Sequence, residues 1–266
     1  MSIEASSFPN FPDKHSGSPL VRPEIFLRGL LDRDDVVVPK SIIMGYSGQL
    51  PAMLEDRGFT RVDDYRTSWR ALWLREGPNV DRVGVVEGFG YGAPAAAIVF
   101  EELATLGARR FINLGMAGAL PSEIGFGQVV LCTAAVRDEG VSHHYVPTAR
   151  YAYPSPVLTE DLRQELRQRA TTFVEGPTWT IDAIYRETVD EAMAYRDEGV
   201  ITVDMESAAL FTIAQMRDVE LAAIFAVSDH LLAGDEWQLS PDRSVVTSGL
   251  ASVLDAALAV LDVDRP

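Results

Sequence analysis

Two carboxylates 23 positions apart, Glu206 and Asp229, are the residues of this chain best suited to chemistry. Glu206 stands in Val203-Asp204-Met205-Glu206-Ser207, where an apolar run meets a helical pattern. Asp229 stands in Ala226-Val227-Ser228-Asp229-His230, at the end of the apolar run Leu221 to Val227. Each reads as an acid delivered by the C-terminal end of a strand, the place where open α/β sheets bind ligands. No lysine and one arginine, Arg217, lie between them. Such a pair suits a sugar-handling site. One carboxylate accepts from two vicinal ribose hydroxyls and stabilises positive charge developing on the ring. The other donates a proton to a leaving base, help typically worth ~10²–10⁴ in rate. Each acid also has a purely structural reading: Glu206 as a charge favoured at a helix N-terminus, Asp229 as a helix cap after a strand.

The elements that must hold these acids follow from periodicity. Strands are expected at Val36 to Met44, Trp69 to Leu74, Val83 to Val86, Arg110 to Leu114, Gln128 to Ala135, Thr172 to Ile181, Val200 to Val203 and Leu221 to Val227. Helices are expected at Pro23 to Leu31, Gln49 to Arg57, Ala93 to Leu106, Leu158 to Ala170, Val189 to Tyr195, Glu206 to Arg217 and Asp242 to Asp262. Residues 1–22 read as an N-terminal arm and 23–266 as one domain. The alternation predicts one mixed sheet with helices on both sides. A dinucleotide-binding fold is disfavoured, because no Gly-x-Gly-x-x-Gly opens the first helix of a βαβ unit with an acid about 20 residues on.

Composition narrows the partners. The net charge of −16 argues against nucleic-acid and membrane-surface binding, since both need basic patches. The hydrophobic share of 47% supports a full core. The single Cys132 fits a reducing cytoplasm. Met1 to Gly17 lacks an apolar signal segment, and no uninterrupted apolar run approaches the ~20 residues that span a bilayer. The histidines are too few and wrongly spaced for a zinc site.

Four segments in register carry a family likeness: Gly88-Phe89-Gly90-Tyr91-Gly92-Ala93-Pro94 with Glu101-Glu102-Leu103 following; Asn113-Leu114-Gly115-Met116-Ala117-Gly118; Val203-Asp204-Met205-Glu206-Ser207; and Val227-Ser228-Asp229-His230. Across roughly residues 36–260 the chain resembles the nucleoside phosphorylase and nucleosidase superfamily. Gly176 to Thr188 and Ser142-His143-His144-Tyr145-Val146-Pro147 are similar to its uridine phosphorylase-like branch. The resemblance implies a single three-layer αβα domain with a mixed, partly barrel-like central sheet. It implies a homo-oligomer, a dimer or trimer of dimers, whose active sites take residues from a neighbouring subunit. It implies cleavage of the N-glycosidic bond of a small-molecule nucleoside through an oxocarbenium-like ribosyl cation. Phosphate attacks in the phosphorylases, giving free base and ribose 1-phosphate, and water attacks in the nucleosidases. No metal or organic cofactor is implied, phosphate being a co-substrate.

By position in these motifs, Glu206 would hold the ribose, with Met205 packed on the sugar and His143 or His144 nearby. Two adjacent histidines in a strand face opposite ways, so at most one would face the site. Asp229 would protonate a purine N7, which tilts the reading towards purine salvage. Ile184, Tyr185, Arg186, Thr188 and Ser228 would line the base, Ile184 replacing the usual stacking aromatic. Gly45, Gly90, Gly92, Asn113, Gly115 and Met116 would form the phosphate or nucleophile site. That site departs most from the family: Ile43 to Gly48 lacks the Gly-Asp-Pro turn and its arginine, Asn113 replaces another arginine, and Met116 and Ala95 replace hydroxyl residues. A phosphate dianion needs charged or N–H donors. Arg186 or Arg137 is a candidate substitute. Phosphorolysis is the first expectation; a nucleosidase using water, or a nucleoside-binding protein with reduced activity, is the alternative.

Overall fold

The computed structural model describes residue 11 and residues 14–33, 38–62, 71–75, 82–233 and 236–262. Its helices are α1 (Pro23–Leu31), α2 (Leu50–Glu55), α3 (Ala93–Thr105), α4 (Ser142–Tyr145), α5 (Pro156–Gln168), α6 (Val189–Asp197), α7 (Ser207–Arg217) and α8 (Arg243–Leu261). Its strands are β1 (Ser41–Gly45), β2 (Phe59–Val62), β3 (Ala71–Arg75), β4 (Val83–Glu87), β5 (Arg110–Ala119), β6 (Val129–Asp138), β7 (Tyr151–Ala152), β8 (Phe173–Ile181), β9 (Thr202–Asp204), β10 (Glu220–Ala233) and β11 (Glu236–Leu239).

These strands form one mixed sheet in the order β11-β10-β6-β8-β9-β5-β1-β4-β3-β2, with β7 beside β6. β10 pairs a second time, in parallel with β5. Five strands, β10, β6, β8, β9 and β5, therefore close into a ring, and β1 to β4 continue as an open wing. This is the expected three-layer, partly barrel-like αβα architecture. One buried cluster joins Phe111, Ala117 and Phe225 of the sheet to α3 and α7. A second joins Ile112, Leu114 and Ile224 to α2, α5 and α8. The period of two along β5 and β10 sends alternate side chains to the two faces. Both faces are covered, so both strands read as nearly continuous apolar runs.

Several expectations are corrected. β5 does not stop at Leu114 but runs to Ala119, and the small Gly118 and Ala119 lie between β9 and β10 and pair with both. β10 does not end at Val227; it shifts register between Val227 and Asp229 and continues, pairing His230 with Ala119 and Asp229 with Leu239 of β11. Asp229 thus leaves from a kinked strand interior rather than from a strand end, as bulges allow. His143 and His144 lie on the one-turn helix α4, not on a strand. Its N-terminus is capped by Glu139, which accepts from Ser142 N–H at 2.9 Å. The strands β2, β7 and β11 were not expected; each is short. Of the expected strands, residues 36, 37, 69 and 70 fall outside the described residues, as do residues 1–10, 12 and 13 of the expected arm. Lys14–Ser16 forms a 3-10 turn against α4.

Among the described residues α8 is the one helix long and apolar enough to cross a bilayer, although no apolar run of that length was expected from sequence. Here it packs on β1, β5, β6 and β10.

Candidate active site

β9 is short, and its end is tied tightly to the start of α7. Asp204, the last residue of β9, is buried. Its carboxylate accepts from Thr180 Oγ1 at 2.6 Å, from Ser207 N–H at 2.8 Å and from Glu206 N–H at 3.2 Å. Thr180 Oγ1 also accepts from Ala208 N–H at 3.1 Å. An acid that satisfies the open N–H groups of a helix N-terminus is favoured there by hydrogen bonding and by the macrodipole. β8, β9 and α7 are thereby locked together, and Glu206 is projected from a fixed backbone.

Glu206 is itself buried. Its Oε1 accepts from Gly92 N–H at 2.7 Å. Gly92 has φ +89°, a backbone conformation that admits glycine readily. Burial, and then the charge of Asp204, push the Glu206 carboxyl up to about 8. Asp204 is raised too, chiefly by burial. Tyr46 stands beside both acids, edge-on to Phe89, with ring centroids 5.2 Å apart. Burial, then Glu206, raise its phenol, and its hydroxyl has no hydrogen-bond partner among the described residues.

Asp229 is half-buried on β10. Its Oδ1 accepts from Ser228 Oγ at 2.5 Å and its Oδ2 from Trp237 Nε1 at 2.8 Å. Gly118 of the strand beneath lets these side chains come close: a Cβ there would lie 2.8 Å from Asp229 Oδ2 and 2.5 Å from Leu231 Cδ1, so one of them would have to shift. Glu187 lies at the same end, half-buried. Burial, then the charges of Asp229 and Glu191, raise its carboxyl to about 7.

Both acids found from sequence line one cavity of about 220 Å³. With Glu206 and Asp229 it brings together Met205, Ser228, Ile184 and Met116 of the expected set. It also takes in Asp204, Glu187, Trp237, Tyr46, Ser47 and Tyr91, which sequence reasoning did not assign to the site. Asp204 sat inside a quoted motif and could have been found there. Trp237 and Glu187 carried no signal.

The other residues named from the sequence lie outside the lining of this cavity. Tyr185 is 95% exposed, and Arg186 and Thr188 are exposed too, so none lines the cavity. Thr188 instead caps α6, accepting from Glu191 N–H at 3.4 Å. His143 Nε2 donates to Arg137 O at 3.1 Å and His144 meets Lys14, both away from the cavity. Asn113 is buried beneath α7, donating to Ser207 Oγ at 3.1 Å, a contact that braces the Glu206 segment. Gly45, Gly90 and Gly115 do not line the cavity. The N–H of Gly92 already serves Glu206. Arg137 is buried, donating to Ser142 Oγ, Pro147 O and Val146 O, so its guanidinium holds the 142–147 loop. Among the described residues lining the cavity there are four carboxylates and no lysine, arginine or histidine.

Comparison with known proteins gives a consistent picture. The family model described as "Phosphorylase superfamily" matches residues 77–261. A guanosine phosphorylase of Halorubrum lacusprofundi is 30% identical over 147 residues, 55% of this chain and 61% of that protein. The match thus spans less than two thirds of that relative. A DeoD-type purine nucleoside phosphorylase of Bacillus cereus is 27% identical over 180 residues, 65% of this chain and 74% of that protein. The solved structure of a uridine phosphorylase from Vibrio fischeri superimposes with a TM-score of 0.71 at 25% identity, covering 85% of this chain and 91% of the other. A purine nucleoside phosphorylase from Toxoplasma gondii shares the fold, with a TM-score of 0.72 at 22% identity, covering 85% of this chain and 92% of that one.

Proposed function

The chain belongs to the phosphorylase superfamily, and from that premise we propose that it cleaves the N-glycosidic bond of a nucleoside, purines favoured, by phosphorolysis to free base and ribose 1-phosphate. The observation that carries the reading is the shared cavity: a buried Glu206 fixed by Gly92 N–H at 2.7 Å, and Asp229 lining the same cavity. Glu206 accepts from the ribose 2′ and 3′ hydroxyls, with Met205 against the sugar. As the C1′–N9 bond breaks, its electron pair passes to the base and Asp229 gives a proton to N7. The ring cation left behind is stabilised by the Glu206 carboxylate, and a phosphate oxygen closes on C1′. No metal or organic cofactor enters this scheme.

One observation favours a second reading. A cavity lined by four carboxylates and, among the described residues, no basic side chain is a poor host for a phosphate dianion. Phosphorolysis then calls on cations from beyond that wall. The homo-oligomer expected from the resemblance, a dimer or trimer of dimers, would supply them from a neighbouring subunit. Hydrolysis by water calls on none. Base release from adenosine, inosine, guanosine and uridine, each with and without phosphate, separates the two. Phosphate-dependent release with ribose 1-phosphate formed supports phosphorolysis. Phosphate-independent release supports the nucleosidase. No release from any of them would leave a nucleoside-binding protein.

A further inference from the structure

Glu187 is the acid of the cavity that the mechanism above leaves unused. It follows the 3-10 turn Ile184–Arg186, precedes α6, and lines the same end of the cavity as Asp229. Its position differs from that of the other three acids. Asp204 caps α7, Glu206 is held by Gly92, and Asp229 is held by Ser228 and Trp237. The Glu187 carboxyl makes no hydrogen bond or ion pair among the described residues. It is half-buried, and its carboxyl is raised to about 7 by burial and then by Asp229 and Glu191. Such a group gains from a ligand that donates to it.

The neighbouring surface sharpens this. Ile184 and Trp237 supply apolar area beside Glu187, and no basic side chain of the described residues reaches the cavity. Above about pH 7 the Glu187 carboxyl is ionised, and an ionised carboxylate accepts hydrogen bonds and donates none. A base edge of carbonyl oxygens or bare ring nitrogens is repelled by it, whereas an exocyclic amino group is matched. Resting on the nucleoside-cleaving reading of this cavity, we propose that Glu187 is a specificity residue that accepts a hydrogen bond from the exocyclic amino group of an aminopurine nucleoside. Adenosine carries that group at position 6 and guanosine at position 2. Inosine has neither: it turns a carbonyl O6 towards a site built for the 6-amino group, and to a site built for the 2-amino group it offers only the N1–H that guanosine also has, so either site disfavours it.

The test measures kcat/KM for adenosine, guanosine and inosine with the wild-type protein, Glu187→Gln and Glu187→Ala. One aminopurine should exceed inosine by about tenfold or more in the wild type, and that ratio should fall by about tenfold in both variants. A preference for adenosine assigns the 6-amino group, and one for guanosine the 2-amino group. Inosine matching both in the wild type overturns the proposal, even if neither variant folds. A ratio unchanged in folded variants overturns it too. Calorimetric binding of the same three nucleosides reads the contact without turnover. Aminopurine binding that depends on Glu187, without base release, sustains the contact and refutes the cleavage. Cleavage indifferent to Glu187 refutes the contact and sustains the cleavage. Binding of no nucleoside refutes both.

Discussion

The surroundings of Glu206 and of Asp229 in the cavity are built differently. Around Glu206 the acids are buried, the backbone is fixed by Asp204 and Thr180, and Asn113 braces the helix from below. Around Asp229 the acids are half-exposed, and the groups around them come from a short turn and an edge strand whose Trp237 is 60% exposed. The proposed roles match this difference. Every riboside presents the same two hydroxyls, so their acceptor can be fixed in the core. Bases vary, and residues on connecting segments can change with less damage to packing.

The contrast can be broken from either side. The largest expected effect is Asp229→Asn, which should lower kcat for purine nucleosides by about 10²–10⁴. A nucleoside already methylated at N7 needs no proton there, so its cleavage should escape most of that loss. An equal loss for both substrates would remove Asp229 as the acid.

Next is Glu206→Gln, expected to lower kcat/KM for ribosides by about 10²–10³, as for loss of one preorganised group facing a developing charge. The free enzyme needs this carboxylate ionised, so wild-type kcat/KM should climb as pH passes about 8 and the climb should vanish in the variant. Stability should move the other way. The folded carboxyl is raised above its unfolded value, so its contribution is full below pH ~4.3 and is lost as pH rises through about 8. Chemical denaturation at pH 9 should therefore find Glu206→Gln more stable than wild type by about 1–3 kcal/mol, with the advantage gone at pH 5. A variant less stable at both pH values would mark Glu206 as a structural charge.

Gly118→Ala tests the surroundings of Asp229 from beneath. The added methyl must displace Leu231 or Asp229. A misplacement near 1 Å is worth up to about 10² in kcat, and substrate binding should change less. Smallest is Trp237→Phe, which keeps an aromatic face but removes the 2.8 Å donor to Asp229. A loss of about three- to tenfold in kcat/KM is expected for one hydrogen bond to a partly exposed acid, with the melting temperature unmoved. A loss as large as that of Asp229→Asn would make the indole part of the acid machinery.

The buried surroundings of Glu206 were the more legible in the sequence. Glu206 and Met205 lie where an apolar run turns into helical periodicity, and that local pattern determines where they stand. The ring was legible only in outline. Ser228-Asp229-His230 reads as the polar end of a strand, yet β10 continues because closure pairs it with β5 as far as Ala119. Trp237 was invisible because all four residues of β11 are exposed, which leaves no apolar alternation to read even though β11 pairs with the adjacent end of β10. Glu187 was passed over because its burial comes from the turn that folds it towards β10, not from its neighbours in sequence. The histidines were misplaced because a one-turn helix held by an acid cap leaves no periodicity to read.

The closure of the ring also bears on how the molecule is made. β10 is the last of the five ring strands in chain order and so the last to leave the ribosome. Until it arrives, β5 and β6 each lack the neighbour that closes them, and unpaired strand edges invite association with other chains. A nascent chain halted before Glu220 would hold most of its helices but no finished barrel. The vulnerable interval in its biogenesis therefore falls late, and it ends when one strand seals both edges at once.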